Sequence, residues 1–126
     1  MPTDATIIIP THDRPALVLD AVESALAQTA GDVEVLVVDD ASATPVVLPA
    51  HPRLRLVRLP ANRGGAAARN VGLREASGRW VTYLDDDDVL LPDHLRVALE
   101  ALAGSDLPAP VATLSGVEVV DEHGRV

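Results

Sequence analysis

The chain has 126 residues, 48% of them apolar, with no Phe, one Trp and one Tyr, so a single domain with an aliphatic core of Val, Leu, Ile and Ala is expected. A net charge of -9 opposes passive binding to nucleic acid or anionic lipid. With no Cys there can be no disulfide, thiolate nucleophile or cysteine metal site, and because all ten basic residues are Arg, sites that need a lysine ammonium are excluded as well.

The opening "MPTDATIIIP" has no basic segment leading into a long apolar run, and no stretch approaches the roughly 20 apolar residues of a membrane span. No signal peptide or transmembrane segment is expected, and the location expected is cytoplasmic. "ATIIIP" (5–10) and "VEVLVVDD" (33–40) are short apolar runs rich in β-branched residues, which predicts strands buried on both faces. Between them Leu17, Ala21, Ala25 and Val18, Val22, Leu26 recur at helical spacing, predicting a helix from Arg14 to about Thr29. "LRLVRL" (54–59) alternates as a third strand would. The Ala-rich segment after Gly65 reads as a helix that ends near Gly78, followed by a fourth strand, "RWVTYLD" (79–85). A third helix is predicted from Pro92 to about Ala103, and "VATLSGVEVVDEHGRV" reads as a strand followed by a turn.

Strands alternating with helices predict an α/β fold around a mostly parallel sheet, Rossmann-like in its layering, in which ligands bind beyond the carboxyl ends of the strands. Thr11, His12 and Asp13 follow strand one, Asp39 and Asp40 follow strand two, and Asp85 to Asp88 follow strand four. Three polar clusters are therefore expected at one edge.

Read as extended chain, the four aspartates alternate in direction, which leaves same-side Cα atoms roughly 6 to 7 Å apart, close enough for two carboxylates to share one hard divalent cation. A solvated acidic loop is the bland alternative, made less attractive here by the strand before the run and the helix after it. An EF-hand loop is excluded, because the sixth position from Asp85 is Leu90 and the twelfth is Arg96. Asp39 and Asp40 could accept hydrogen bonds from a nucleobase or ribose, or Asp40 and Ser42 could simply form a turn or cap a helix. In "ANRGGAAARN", Arg63, Arg69 and backbone N–H groups at a helix start could meet phosphate oxygens, although without Lys this is no P-loop. Of the four histidines only His12 lies at the expected ligand edge, and His51, His94 and His123 are expected at the surface.

Taken in order, "TIIIPTHDRP", "AVESALAQT", "VEVLVVDDAS", "NRGGAAARNVGLREASGRWVTYLDDDD" and "LLPDHL" resemble the inverting family 2 glycosyltransferases of the GT-A fold nearly end to end. The resemblance implies a nucleotide-diphosphate sugar donor, most simply a UDP-sugar, and Mn²⁺ or Mg²⁺. It implies that Asp87 contacts the metal and that Asp85 or Asp86 faces the ribose, with the register of the D-x-D motif open by one residue. By the same resemblance Pro10, Thr11 and His12 border the nucleobase, Asp39 or Asp40 or both bind it, and Arg69 supports the pocket. The family's aromatic residue and Asn after the first strand are here His12 and Asp13, which weakens base stacking.

The family's catalytic base and acceptor site lie in a later half, so by resemblance the base is expected beyond Val126 and no catalytic residue is assigned within 1–126. These residues are thus expected to form one donor-binding domain, to bind nucleotide and metal, and to transfer sugar poorly or not at all by themselves. Three further readings stand beside this one. A phosphorelay receiver needs a Lys and a single acceptor Asp where this chain has "LRLVRLPANRGG", and a nucleotidyltransferase needs a Gly- and Lys-bearing loop where it has "PTHDRP". A non-catalytic nucleotide-binding module is the third, and it and the receiver are the alternatives from other classes.

Overall fold

A computed structural model describes residues 3–123 and Arg125. Val126, the last residue of the expected domain and the point beyond which the catalytic base is expected, lies outside the described residues. Along the chain run β1 (Ala5–Thr11), α1 (Leu17–Leu26), β2 (Val33–Asp39), β3 (Leu54–Arg58), α2 (Gly65–Glu75), β4 (Trp80–Tyr83) and α3 (His94–Ala103). The four strands form one sheet in the order β3-β2-β1-β4, and every pairing is parallel. The expected α/β architecture is therefore realised with a sheet that is wholly parallel.

Helices cover both faces of the sheet, which explains the unbroken apolar runs of β1 and β2. Ile7, Ile9, Val35 and Val37 pack with Val18, Ala21, Val22 and Ala25 of α1 and with Leu95 of α3. On the opposite face Ile8, Leu36 and Val38 pack with Ala68 of α2 and with Leu59. Gly72 lets α2 lie directly on β1, since a Cβ there would collide with the Ile8 side chain.

Several boundaries differ from expectation. Helix α1 stops at Leu26, short of Thr29, because the Thr29 N–H leaves the helical ladder and donates to the Pro92 carbonyl at 3.0 Å. The Pro92–Asp93 step forms a turn in which His94 N–H donates to Leu91 O at 3.1 Å, so α3 begins at His94. Strand β4 ends at Tyr83, and the strand expected within 111–120 is not formed. Leu114, Val117 and Val119 there are 97%, 88% and 82% exposed, since an apolar run stays irregular where no neighbouring strand supplies a ladder. No helix among the described residues is long and apolar enough to cross a membrane.

A carboxylate fastens the amino end of the sheet. Glu34 accepts hydrogen bonds from Thr6 Oγ1 (2.9 Å), Ser77 N–H (3.0 Å), Ser77 Oγ (2.6 Å) and Arg55 Nε (2.7 Å), joining β1, β2, β3 and the turn before β4. Burial by itself raises its pKa, but the bonds from Ser77, Arg55 and Thr6 outweigh burial and bring it from 4.5 down to about 2. A depressed folded-state pKa means that this contribution is complete above pH 4.5 and is lost as the pH falls towards 2.

Two outcomes follow for stability. Glu34→Gln should cost about 1 to 3 kcal/mol at pH 7 in denaturant unfolding and should flatten the loss of stability below pH 4.5. Gly72→Ala should lower stability by about 1 to 3 kcal/mol, read in the same assay, because α2 must lift off Ile8.

Candidate functional site

The chain adds β2 and then β3 on one side of β1 and crosses to the other side for β4. The strand order reverses between β1 and β4, and at such a reversal the connections diverge and leave a crevice at the carboxyl ends. An open cleft of about 480 Å³ lies there. Pro10, Thr11, His12, Asp40, Arg69, Asp85, Asp86 and Asp87 line it, as does Arg14, whereas Asp39 does not.

The aspartate run is a turn rather than extended chain, closed by Asp88 N–H donating to Asp85 O at 3.1 Å. The turn overrides the strand alternation and divides the four carboxylates differently. Asp86 points inward, is 7% exposed, and accepts from Thr11 Oγ1 at 2.8 Å and Arg14 Nη1 at 3.0 Å. Asp85, Asp87 and Asp88 point outward, with one carboxylate oxygen of each within 4.8 Å of the others. Arg69 Nη2 lies 2.8 Å from Asp85 Oδ1, and Arg14 Nη1 also reaches Asp87 Oδ2 at 3.1 Å. Burial, and then the negative charges of Asp87, Asp85 and Asp86, raise the pKa of Asp88. In the same field Asp86 foremost, with Asp87, raises that of Arg14.

At the end of β2 both acids are held by the protein itself. Asp39 is fully buried and accepts from Ser42 N–H (2.9 Å), Val46 N–H (3.2 Å) and Arg58 Nη1 (2.8 Å). Burial works against its ionisation, yet the bonds from Ser42, Val46 and Arg58 leave its pKa lowered. Asp40 accepts from the N–H groups of Arg63 and Gly64, both at 2.8 Å, just ahead of α2. The anion at this helix start is thus a protein carboxylate, and those two donors are not free for phosphate. The bond to the Ser42 amide is made by Asp39 rather than by Asp40, whose carboxylate serves the start of α2 instead.

The loops after β1 and β2 are stitched together. His12 Nδ1 lies 2.7 Å from Asp40 O, Asp13 N–H donates to Ser42 Oγ at 2.9 Å, and Ala43 N–H donates to Asp13 Oδ1 at 2.7 Å. Asp13 and Ala41 take left-handed φ values of 54° and 56°, conformations that non-glycine residues adopt at a cost. A carbonyl beside His12 Nδ1 makes that nitrogen a donor, while Nε2 lies 3.0 Å from Asn62 Nδ2 and 3.1 Å from Asp13 Oδ2. Away from the cleft, His51 and His94 are half-buried rather than at the surface, and His123 is exposed.

Arg14, Asn62, Ser24 and Gln28 shape the site without a signal in the sequence pattern. Ser24 Oγ accepts from Leu90 N–H at 3.0 Å. Gln28 donates to Leu91 O at 2.8 Å and accepts from Leu95 N–H at 2.9 Å, which ties the segment after the aspartates to α1. Only Arg14 offered a hint, as a cation one turn ahead of a helix and directly after the first polar cluster.

The profile of a family described as Glycosyl transferase family 2 matches residues 6–119. Succinoglycan biosynthesis protein ExoO of Rhizobium meliloti (strain 1021) is 40% identical over 126 residues, covering 97% of this chain and 35% of that protein. ExoW of the same organism, also a succinoglycan biosynthesis protein, is 34% identical over 128 residues, covering 94% of this chain and 40% of that protein. Among solved structures, S. aureus TarS 1-349 in complex with UDP-GlcNAc superposes with a TM-score of 0.70 at 25% identity, over 80% of this chain and 31% of that one. The mannosyltransferase PcManGT from Pyrobaculum calidifontis, in complex with GDP-Man and Mn²⁺, gives 0.71 at 30% identity, over 82% and 34%. The chain belongs to glycosyltransferase family 2 and has its GT-A fold. It spans 35% and 40% of the lengths of the two curated relatives.

Removing the hydroxyl that crosses from β1 to the aspartate turn tests the scaffold. Thr11→Val should cost about 1 to 3 kcal/mol in thermal or denaturant unfolding, because Asp86 Oδ2 stays nearly buried and loses its donor.

Proposed function

We propose that this chain binds a nucleotide-diphosphate sugar through Mn²⁺ or Mg²⁺ and that the protein transfers the sugar to an acceptor hydroxyl with inversion. The observation that carries the reading is the cleft at the β1–β4 reversal, where Thr11, Asp40, Arg69 and the aspartate turn meet. The donor set suits the cation: three outward carboxylates with oxygens within 4.8 Å of one another form an all-oxygen site of the kind hard divalent ions prefer. Asp87 would be the principal ligand, with Asp85 and Asp88 within reach, which favours the register Asp85-x-Asp87 for the D-x-D motif. Bound there, the cation would supply positive charge to offset that gathering on the departing diphosphate.

The remaining roles fall to the chain's own groups. Asp86, clamped by Thr11 and Arg14, would hold the turn in its binding shape while Asp85 faces the ribose. Pro10, Thr11 and His12 would border the nucleobase, with the imidazole held by Asp40 O and Asn62. Asp40 would meet the base side of the cleft while organising the start of α2, and Asp39 would act from behind by fixing the loop that carries Asp40. Arg69, on the inner side of α2, would face the phosphates.

In the transfer the acceptor oxygen bonds to the anomeric carbon, the bond from that carbon to the diphosphate oxygen breaks, and a base takes the acceptor proton. The cleft residues are assigned to the donor and none of them to that base, so residues 1–126 are read as the donor-binding domain and the base is placed beyond Val126. The UDP-GlcNAc complex of TarS favours a UDP-sugar, and the GDP-Man complex of PcManGT makes GDP-sugars the comparison. Composition without cysteine supports a cytoplasmic location.

Calorimetric titration of UDP-, GDP- and TDP-sugars with and without Mn²⁺ tests the reading. Binding that requires Mn²⁺ and falls at least roughly tenfold in Asp87→Asn is the expected result. Nucleotide binding indifferent to both Mn²⁺ and Asp87 would favour the non-catalytic nucleotide-binding module instead.

A further inference from the structure

Arg14 and Arg69 occupy the carboxylates that the cation would need. Arg69 Nη2 sits 2.8 Å from Asp85 Oδ1, on the same turn as Asp87 Oδ2, which Arg14 Nη1 reaches at 3.1 Å. We infer that these two arginines are resident counter-charges that compete with the divalent cation, so that cation and nucleotide diphosphate load together rather than one after the other. The inference rests on the donor-site reading and extends it to the order of binding.

A free divalent ion approaching Asp85, Asp87 and Asp88 meets two guanidinium groups of like charge and must break charge-assisted hydrogen bonds to gain its ligands. Both side chains are partly exposed, 49% for Arg14 and 38% for Arg69, so they can swing without unpacking the core. Arg14 has a second partner in Asp86 at 3.0 Å, so it can release Asp87 and remain anchored. Arg69 projects from α2 and can pivot on its own stem. A diphosphate changes the balance because its oxygens offer both guanidinium groups a new anion in planar, two-pronged geometry. Displacement of the arginines is then compensated, the cation gains its carboxylates, and each ligand strengthens the other by the same factor.

The test measures Mn²⁺ binding to the 126-residue chain by electron paramagnetic resonance and calorimetry, with and without UDP. The wild type should bind Mn²⁺ weakly alone and much more tightly with UDP. The double variant Arg14→Gln/Arg69→Gln should bind Mn²⁺ alone roughly tenfold more tightly than wild type and should gain less from UDP. Arg69→Gln alone, a change at a partly exposed helical position that keeps the Arg14–Asp86 clamp, should tighten Mn²⁺ roughly threefold and serves if the double variant fails to fold. Adding Asp87→Asn should abolish the gain.

Variants that bind Mn²⁺ alone no more tightly than wild type would overturn the inference, as would a gain that survives Asp87→Asn. If wild type binds UDP with Mn²⁺ in those cases, the donor-site reading stands and only the loading order falls. If wild type binds no UDP with Mn²⁺, both fall.

Discussion

Burial of β1 on both faces is the constraint from which the rest of the molecule follows. All seven of its residues are buried, pressed between α1 on one side and α2 on the other and paired to β2 and β4 along its edges. A strand so enclosed has room for aliphatic side chains and for polar groups only where a partner is at hand, as with Thr6 beside Glu34. Polar chemistry is therefore displaced to the carboxyl end, and the three strands that end there together deliver Thr11, Asp40 and the aspartate turn to one crevice.

Charge compensation governs that crevice. The run Asp85 to Asp88 would repel itself in a plain turn, and the fold answers with one hydroxyl, two arginines and a division of labour. Asp86 goes inward to Thr11 and Arg14, and the other three carboxylates face the opening. Asp39 and Asp40 are held mainly by backbone N–H donors of nearby loops, with Arg58 as a further partner of Asp39, which leaves Asp40 as a rigid wall of the crevice. The result is a wall that is already paired and a floor whose negative charge is only partly matched. That contrast singles out the floor as the place where a cation and an anionic donor can be accommodated together.

Rigidity around the cleft has local sources. Ala41 and Asp13 hold left-handed backbone conformations because the hydrogen bonds between their two loops over-determine them. Ser24 on α1 and Gln28 just past its end reach the chain after the aspartates, so the turn is fixed from both its strand side and its helix side. At the far end of the sheet Glu34 does the same for the amino ends of the strands. The site is thus mounted on a sheet clamped at both ends.

The sequence by itself determined whatever depends on neighbours close along the chain. Period and β-branching marked β1 and β2, glycines bracketed α2, and the rule that ligands gather beyond strand ends put Thr11, His12, Asp13, Asp39, Asp40 and the four aspartates at one edge, to which the family resemblance added Pro10 and Arg69. Only the tertiary structure decided how those groups are used. The hydroxyl of Thr11 meets Asp86 across 75 residues, and Arg14 meets the same carboxylate across 72, so no local pattern could announce either pair. Extended alternation grouped Asp85 with Asp87 and opposed Asp86 to them, as the structure does, but it misassigned Asp88, because a turn bond from Asp88 to Asp85 overrode the strand period. The tail shows the complement of this: 111–120 has a strand's composition, but a strand exists only where a partner completes its hydrogen bonds. Local patterns fix local geometry, whereas the pairing of charges and donors is settled by which ends of which strands the packed sheet brings together.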